Sequence, residues 1–156
     1  MEFLIIKWIH IISSTLLFGT GLGSAFYKYM ADKTHNIDTI AYTNKNVVLA
    51  DWLFTTPTII IQPISGFLLA SMVGYSLTES WLLVSITLYL IAGACWLPVV
   101  WLQIQMRNSS SQSAASQSAL PALYWKQATV WFWLGVPAFL AIVSVFFLMT
   151  NKPVLF

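Results

Sequence analysis

Residues 79–108 read ESWLLVSITLYLIAGACWLPVVWLQIQMRN, and no charged residue lies between Glu79 and Arg107. At about 1.5 Å of rise per residue, that uncharged run is long enough as an α-helix to cross the roughly 30 Å hydrocarbon core of a bilayer. A strand of a membrane barrel would be much shorter and would alternate apolar with polar residues. Three more stretches have the same character, at residues 3–31, 46–75 and 121–150. The chain therefore predicts an all-α integral membrane four-helix bundle of up-down-up-down topology, occupying residues 1–156 as a single domain.

Composition supports lipid as the solvent. The chain is 58% hydrophobic and 8% charged, with a mean hydropathy of +0.77, whereas soluble domains carry about 25% charged residues. Eight Trp and six Tyr are present, several near the expected helix ends, as interfacial belts require. A net charge of +2 offers no basic patch for nucleic acid. The lone Cys95 falls inside a span, so it has no disulfide partner and belongs to no metal cluster.

The connections differ in kind. The first, residues 32–45, is polar. The second, residues 76–78, is so short that the second and third spans must form a tight antiparallel hairpin. The third contains NSSSQSAASQSA at 108–119, and residues 109–120 are expected to form a flexible Ser-rich loop. Asn108-Ser109-Ser110 matches a glycosylation acceptor by chance. The first span is read as retained, because Glu2 stands where a secretory signal has a basic leader and Lys7 and His10 interrupt the apolar run. Lys28, Lys33, Lys45, Arg107 and Lys126 flank the first and third connections, while Lys7 and Lys152 lie at the opposite end. The positive-inside rule then places those two connections in the cytoplasm and both termini on the outer, periplasmic side.

Polar residues three, four and seven apart share a helix face. Such stripes run through Lys7, His10, Ser14, Gly21, Ser24 and Lys28; through Asp51, Thr55, Thr58, Gln62 and Ser65; through Ser85, Tyr89, Trp96, Gln103 and Arg107; and through Lys126, Thr129, Trp133, Pro137 and Ser144. Lipid rejects such faces, so all four are expected to turn inward. Most of the hydroxyls have a sufficient role in bonding backbone carbonyls or a neighbouring helix. Gly19 and Gly23 form a small-xxx-small pair suited to close helix approach.

Two polar layers follow. Asp51, Gln62, Gln103, Arg107 and Lys126 form an intramembrane polar cluster in which Arg107 or Lys126 is expected to neutralise Asp51, either as an interhelical salt bridge or as an anion or proton site. Lys7 and His10 lie one turn apart near the other end. An imidazole there is either hydrogen-bonded within the bundle or a ligand for metal, with haem b the leading candidate and Lys7 placed to meet a propionate. No second His lies in a span, so a bis-His site is not expected. No catalytic constellation is visible, and catalytic residues stay unassigned. A cofactor-free transport accessory or helix-packing scaffold is the alternative, with a membrane protein or a quinone as a possible partner.

These motifs carry a resemblance. KWIH at 7–10, LFGTGLGSA at 17–25, DWLFT at 51–55, QPISG at 62–66 and CWLPVVWLQ at 95–103 resemble the bacterial integral membrane proteins grouped as domain of unknown function 2269. The resemblance implies a four-span protein of the bacterial inner membrane and no established activity. The first span is also similar to that of HemJ-type protoporphyrinogen oxidases and CopD-type copper-resistance proteins. In the oxidases a His of this helix is associated with haem, which maps onto His10.

Overall fold

The computed structural model describes all residues from Met1 to Phe156. Four helices are long and apolar enough to cross a membrane: α1 (Glu2–Lys33), α2 (Ile37–Val73), α3 (Ser80–Ala115) and α4 (Ala122–Asn151). No strand is present. Both chain termini and the α2–α3 turn lie at one end, here the terminal end; the α1–α2 and α3–α4 connections lie at the other, the loop end. The turn after α2 closes on Gly74, whose φ of 82° is the left-handed conformation that glycine adopts without steric cost.

The outer surface is apolar. Leu90, Leu97 and Phe147 are each more than 60% exposed, as lipid-facing side chains should be. The interior holds two apolar clusters, one of Ile40, Val99, Leu102, Met106, Tyr124 and Trp131 toward the loop end, and one of Ala70, Trp81 and Leu82 toward the terminal end. Helix α1 packs mainly on α2, and α3 mainly on α4, while the α1 and α4 backbones stay apart and meet through aromatic side chains, Phe18 against Phe139 and Phe146 and Tyr29 near Phe132. The bundle thus has a seam between α1 and α4.

Prolines shape α2. Pro57 has no N–H, so the helical ladder cannot pass through it unaltered. The chain responds with a π-helical turn at Asp51–Thr55, closed by Thr56 N–H donating to the Asp51 carbonyl. Both Asp51 and Thr55 are buried there, and the Thr55 hydroxyl donates to Asp51 Oδ1 at 2.8 Å. Pro63 likewise leaves the Ile59 carbonyl without its helical donor. Tyr89 of α3 supplies one, its hydroxyl donating to Ile59 O at 2.6 Å. In hydrocarbon an unmatched carbonyl is expensive, so this contact also pins α3 to α2.

Expectations for the connections, for α4 and for two glycines of α1 are corrected. The Ser-rich segment is helical through Ala115, not a flexible loop from residue 109. Its hydroxyls bond the backbone one turn earlier (Ser110 to Met106 O at 2.7 Å), which lets serine sit in a helix, and Ser110 and Ser113 are buried against neighbouring helices. Residues 37–45, assigned to the first connection, likewise belong to α2, whose N-cap Asn36 accepts from Thr39 N–H at 2.9 Å. At 36 residues α3 is about 54 Å long, so it extends beyond the hydrocarbon.

The second correction concerns α4. Lys126, Thr129, Trp133, Pro137 and Ser144 are all exposed, and the inward face is instead Tyr124, Trp131, Ala141 and Leu148. Thr129 and Ser144 donate to Trp125 O and Leu140 O of their own helix, so neither needs a polar partner. Third, Gly19 and Gly23 are not close-packing positions. A Cβ built on either meets nothing within 4 Å.

Candidate functional site

The intramembrane polar groups separate into three places. The first is a clamp between α1 and α2. His10 Nδ1 lies 2.8 Å from Ser65 Oγ. The Ser65 hydroxyl has one proton, and its shortest bond is the donation to Ile61 O at 2.6 Å. In the tautomer with the ring proton on Nδ1, Ser65 accepts from His10 and Nε2 carries the lone pair. Gln62 donates to the His10 carbonyl at 2.8 Å and also to Ser13 Oγ. The ring lies against Gly66, where a Cβ would stand 3.3 Å from His10 Cε1. That requirement for glycine was not anticipated, although QPISG already placed a glycine beside Ser65.

The second place is a cavity of about 360 Å³ lined by all four helices and partly open at its side, where the exposed Leu22, Phe132 and Leu140 form its edge. Its wall is mostly apolar and aromatic, with Phe18 from α1, Tyr89 and Trp96 from α3, and Trp131 and Phe139 from α4. Gly21, Gly93 and Gly135 line it too, and a Cβ on any of them would meet nothing within 4 Å. Part of the volume is thus the space those missing side chains leave. Asp51 and Thr55 enter from the π turn of α2, and Gln103 stands beside Asp51 on α3. Four buried side-chain atoms in the protein have no hydrogen-bond partner: Asp51 Oδ2, Gln103 Oε1, Trp96 Nε1 and Trp131 Nε1. All four residues line this one cavity.

The third place, at the loop end, ties the four helices together. Lys28 Nζ pairs with Asp32 Oδ2 at 2.7 Å and donates to Tyr124 Oη at 3.1 Å. Tyr124 donates to Asp32 Oδ1 at 2.6 Å, and Asn44 Nδ2 donates both to Tyr124 Oη and to Ser110 Oγ, each at 3.0 Å. Lys28, Tyr124 and Ser110 are almost fully buried. Every member has a partner, so the cluster reads as a structural lock.

Set against the expected cluster, the structure brings Asp51 and Gln103 together and places Gln62 in the His10 clamp. Arg107 and Lys126 do not neutralise Asp51. Arg107 donates to the adjacent Asn108 Oδ1, Lys126 is exposed, and the sole salt bridge is Lys28–Asp32. Lys7 is exposed as well. No group of three or more His, Cys, Asp or Glu is arranged to hold a metal. Sequence pattern does not single out the Asp32–Asn44–Tyr124 part of the lock, because residues 32–45 read as a polar connection and Tyr124 lies in an apolar run with no polar stripe through it.

Length, apolarity and four connected spans define a multi-pass integral membrane protein. Residues 4–153 match the family described as "Predicted integral membrane protein (DUF2269)", and the chain belongs to that family. Comparison with curated proteins and with solved structures gives no match.

Proposed function

We propose that the protein is a non-enzymatic membrane component that binds a small lipophilic molecule inside its bundle, as a transport accessory would. The cavity between the four helices carries this reading. Its volume of about 360 Å³ lies in the range of small-ligand sites, roughly 300–1,000 Å³. Between α1 and α4 only side chains meet, Phe18 against Phe139 and Phe146, so a lipophilic molecule would enter from the acyl chains by displacing those rings. Native mass spectrometry tests it. Wild-type protein should release a bound small molecule on activation, and Gly93→Leu and Gly135→Leu, which fill the cavity from two helices, should not. Equal occupancy in all three proteins, or none in the wild type, overturns the reading.

A second reading rests on the free Nε2 lone pair of His10. An imidazole held at Nδ1 by the Ser65 hydroxyl is oriented as metal-ligating histidines are, and it would hold haem b as a five-coordinate site in a small redox module. His10 does not line the cavity, so haem would lie against the α1–α2 face, with Lys7 one turn nearer the terminal end. Protein purified with haem supplied should show a Soret band that His10→Ala removes. A colourless, folded preparation rejects this reading.

For location, we infer the bacterial inner membrane with the loop end cytoplasmic, on the excess of Lys and Arg at that end.

A further inference from the structure

We propose that the molecule held in the cavity is a lipophilic organic cation, an ammonium on a compact aromatic or aliphatic body. The proposal rests on the cavity-binding reading and goes further by assigning the ligand its charge. Asp51 is the only charged residue lining the cavity. It is 95% buried, since its exposure is 5%, and its Oδ2 has no partner. A carboxylate withdrawn from water needs a counter-charge and a hydrogen-bond donor. The chain supplies no counter-charge, and apart from Thr55 the one donor beside the carboxyl is the Gln103 amide. Lys28 reaches the ring of Trp131 in the wall, 5.3 Å from its centroid, and its charge is already matched by Asp32 at 2.7 Å.

An ammonium answers the vacancy in three ways. It neutralises Asp51. Its N–H groups satisfy both orphaned acceptors, Asp51 Oδ2 and Gln103 Oε1, which stand together at the α2–α3 wall. The wall also carries the aromatic rings of Tyr89 and Trp96, and cations are favoured within about 6 Å of such rings. The π turn contributes by facing both Asp51 and Thr55 inward, so that Thr55 occupies Oδ1 and leaves Oδ2 for the ligand. The apolar body then occupies the space beside Gly21, Gly93 and Gly135.

The experiment compares 4-phenylbutylammonium with 4-phenylbutanol, which share one body and differ in charge. Each is titrated calorimetrically into the full chain in phosphatidylcholine nanodiscs, with empty nanodiscs subtracted. The amine should bind saturably at one per chain, and on the order of 10- to 100-fold more tightly than the alcohol, the range set by a charged hydrogen bond. Asp51→Asn, folded by circular dichroism, should bring the amine down to the alcohol's affinity, and Gly93→Leu should abolish both. Equal affinity of amine and alcohol for the wild type, with both lost in Gly93→Leu, overturns the cation and leaves the cavity reading standing. If neither probe binds while wild-type protein still carries a bound molecule that Gly93→Leu lacks, the cation again fails alone. If neither binds and no such molecule is found, both fall. The amine-to-alcohol comparison needs no variant, so misfolding of Asp51→Asn cannot rescue the proposal.

Discussion

Tyr124 of α4 gives its hydroxyl proton to Asp32 of α1 across 2.6 Å, while the same oxygen accepts from Lys28 and Asn44. One phenol thereby joins α4 to α1 and α2, and Asn44 carries the connection on to Ser110 of α3. Lipid gives helices no hydrophobic reason to associate, so polar contacts of this kind weigh heavily in deciding which helix lies beside which. Elsewhere α1 and α4 meet through aromatic side chains alone, Phe18 against Phe139 and Phe146. The lock therefore holds the loop end of the seam by polar bonds, and above it only aromatic rings stand between the cavity and the acyl chains.

Tyr124→Phe keeps the ring and removes three hydrogen bonds from a buried cluster. Leaving Asp32, Lys28 and Asn44 each short of a partner should cost about 1–3 kcal/mol. Thermal unfolding in detergent would show it as a lowered midpoint. Ser118→Ala, whose hydroxyl bonds only Ser116 in an exposed turn, should change nothing.

Two glycines of similar appearance should behave oppositely. Gly66→Ala places a Cβ 3.3 Å from His10 Cε1, so the imidazole must shift against Ser65, and the thermal midpoint should fall. Gly19→Ala enters open space, where exchanging glycine for alanine in a helix interior is worth roughly 0.5–1 kcal/mol in favour of folding. An equal response from both would mean that the His10 clamp is not built around Gly66.

The α2 π turn is attributed to Pro57, and Pro57→Ala tests that cause. Restoring the N–H lets the Leu53 carbonyl regain its helical partner. The turn should relax to α-helix and rotate the part of α2 before it relative to the part after it. Asp51 and the His10 clamp lie on opposite sides of the turn, so they would no longer share one inward face. Loss of ligand from the cavity, with α-helix content kept, is the expected result. Unchanged occupancy would mean that local packing holds the π turn.

The inferred orientation is open to direct measurement. In a Cys95→Ser background, Leu155→Cys lies at the terminal end and Ser118→Cys at the loop end. A membrane-impermeant maleimide applied to intact cells, with the outer membrane permeabilised, should label the first and reach the second only after lysis. The reverse pattern would invert the topology without altering the fold.

Sequence periodicity located α2 and α3 well and α4 poorly, for a physical reason. On α2 the inward face carries Asp51, Thr55, Thr58 and Ser65, groups that hydropathy registers. On α4 the inward face is Tyr124, Trp131, Ala141 and Leu148, which look as lipophilic as the outward face. The hydroxyls that mimicked a stripe there bond their own helix. The reach of the helices beyond the bilayer was hidden in the same way, because serine and polar loop residues turn helical once neighbouring helices bury one side of them. Asp51 was legible as a buried charge. Its lack of a cation was not, since helix positions give depth and face but not how far a side chain on another helix reaches.

Asp51→Asn bears on that missing cation. Asparagine preserves shape and still accepts from Thr55, but it carries no charge that needs a partner. If Asp51 stabilised the fold through a salt bridge, its neutralisation would strand the other charge and cost about 3–5 kcal/mol. The structure shows no such partner. Neutralisation should then leave thermal stability unchanged or raise it, because an uncompensated buried carboxylate weakens the fold that contains it. Residues kept against stability mark sites where binding needs them. A variant that unfolds would identify Asp51 as structural. A variant as stable as the wild type that no longer carries a bound molecule would identify it as the residue that recognises the ligand.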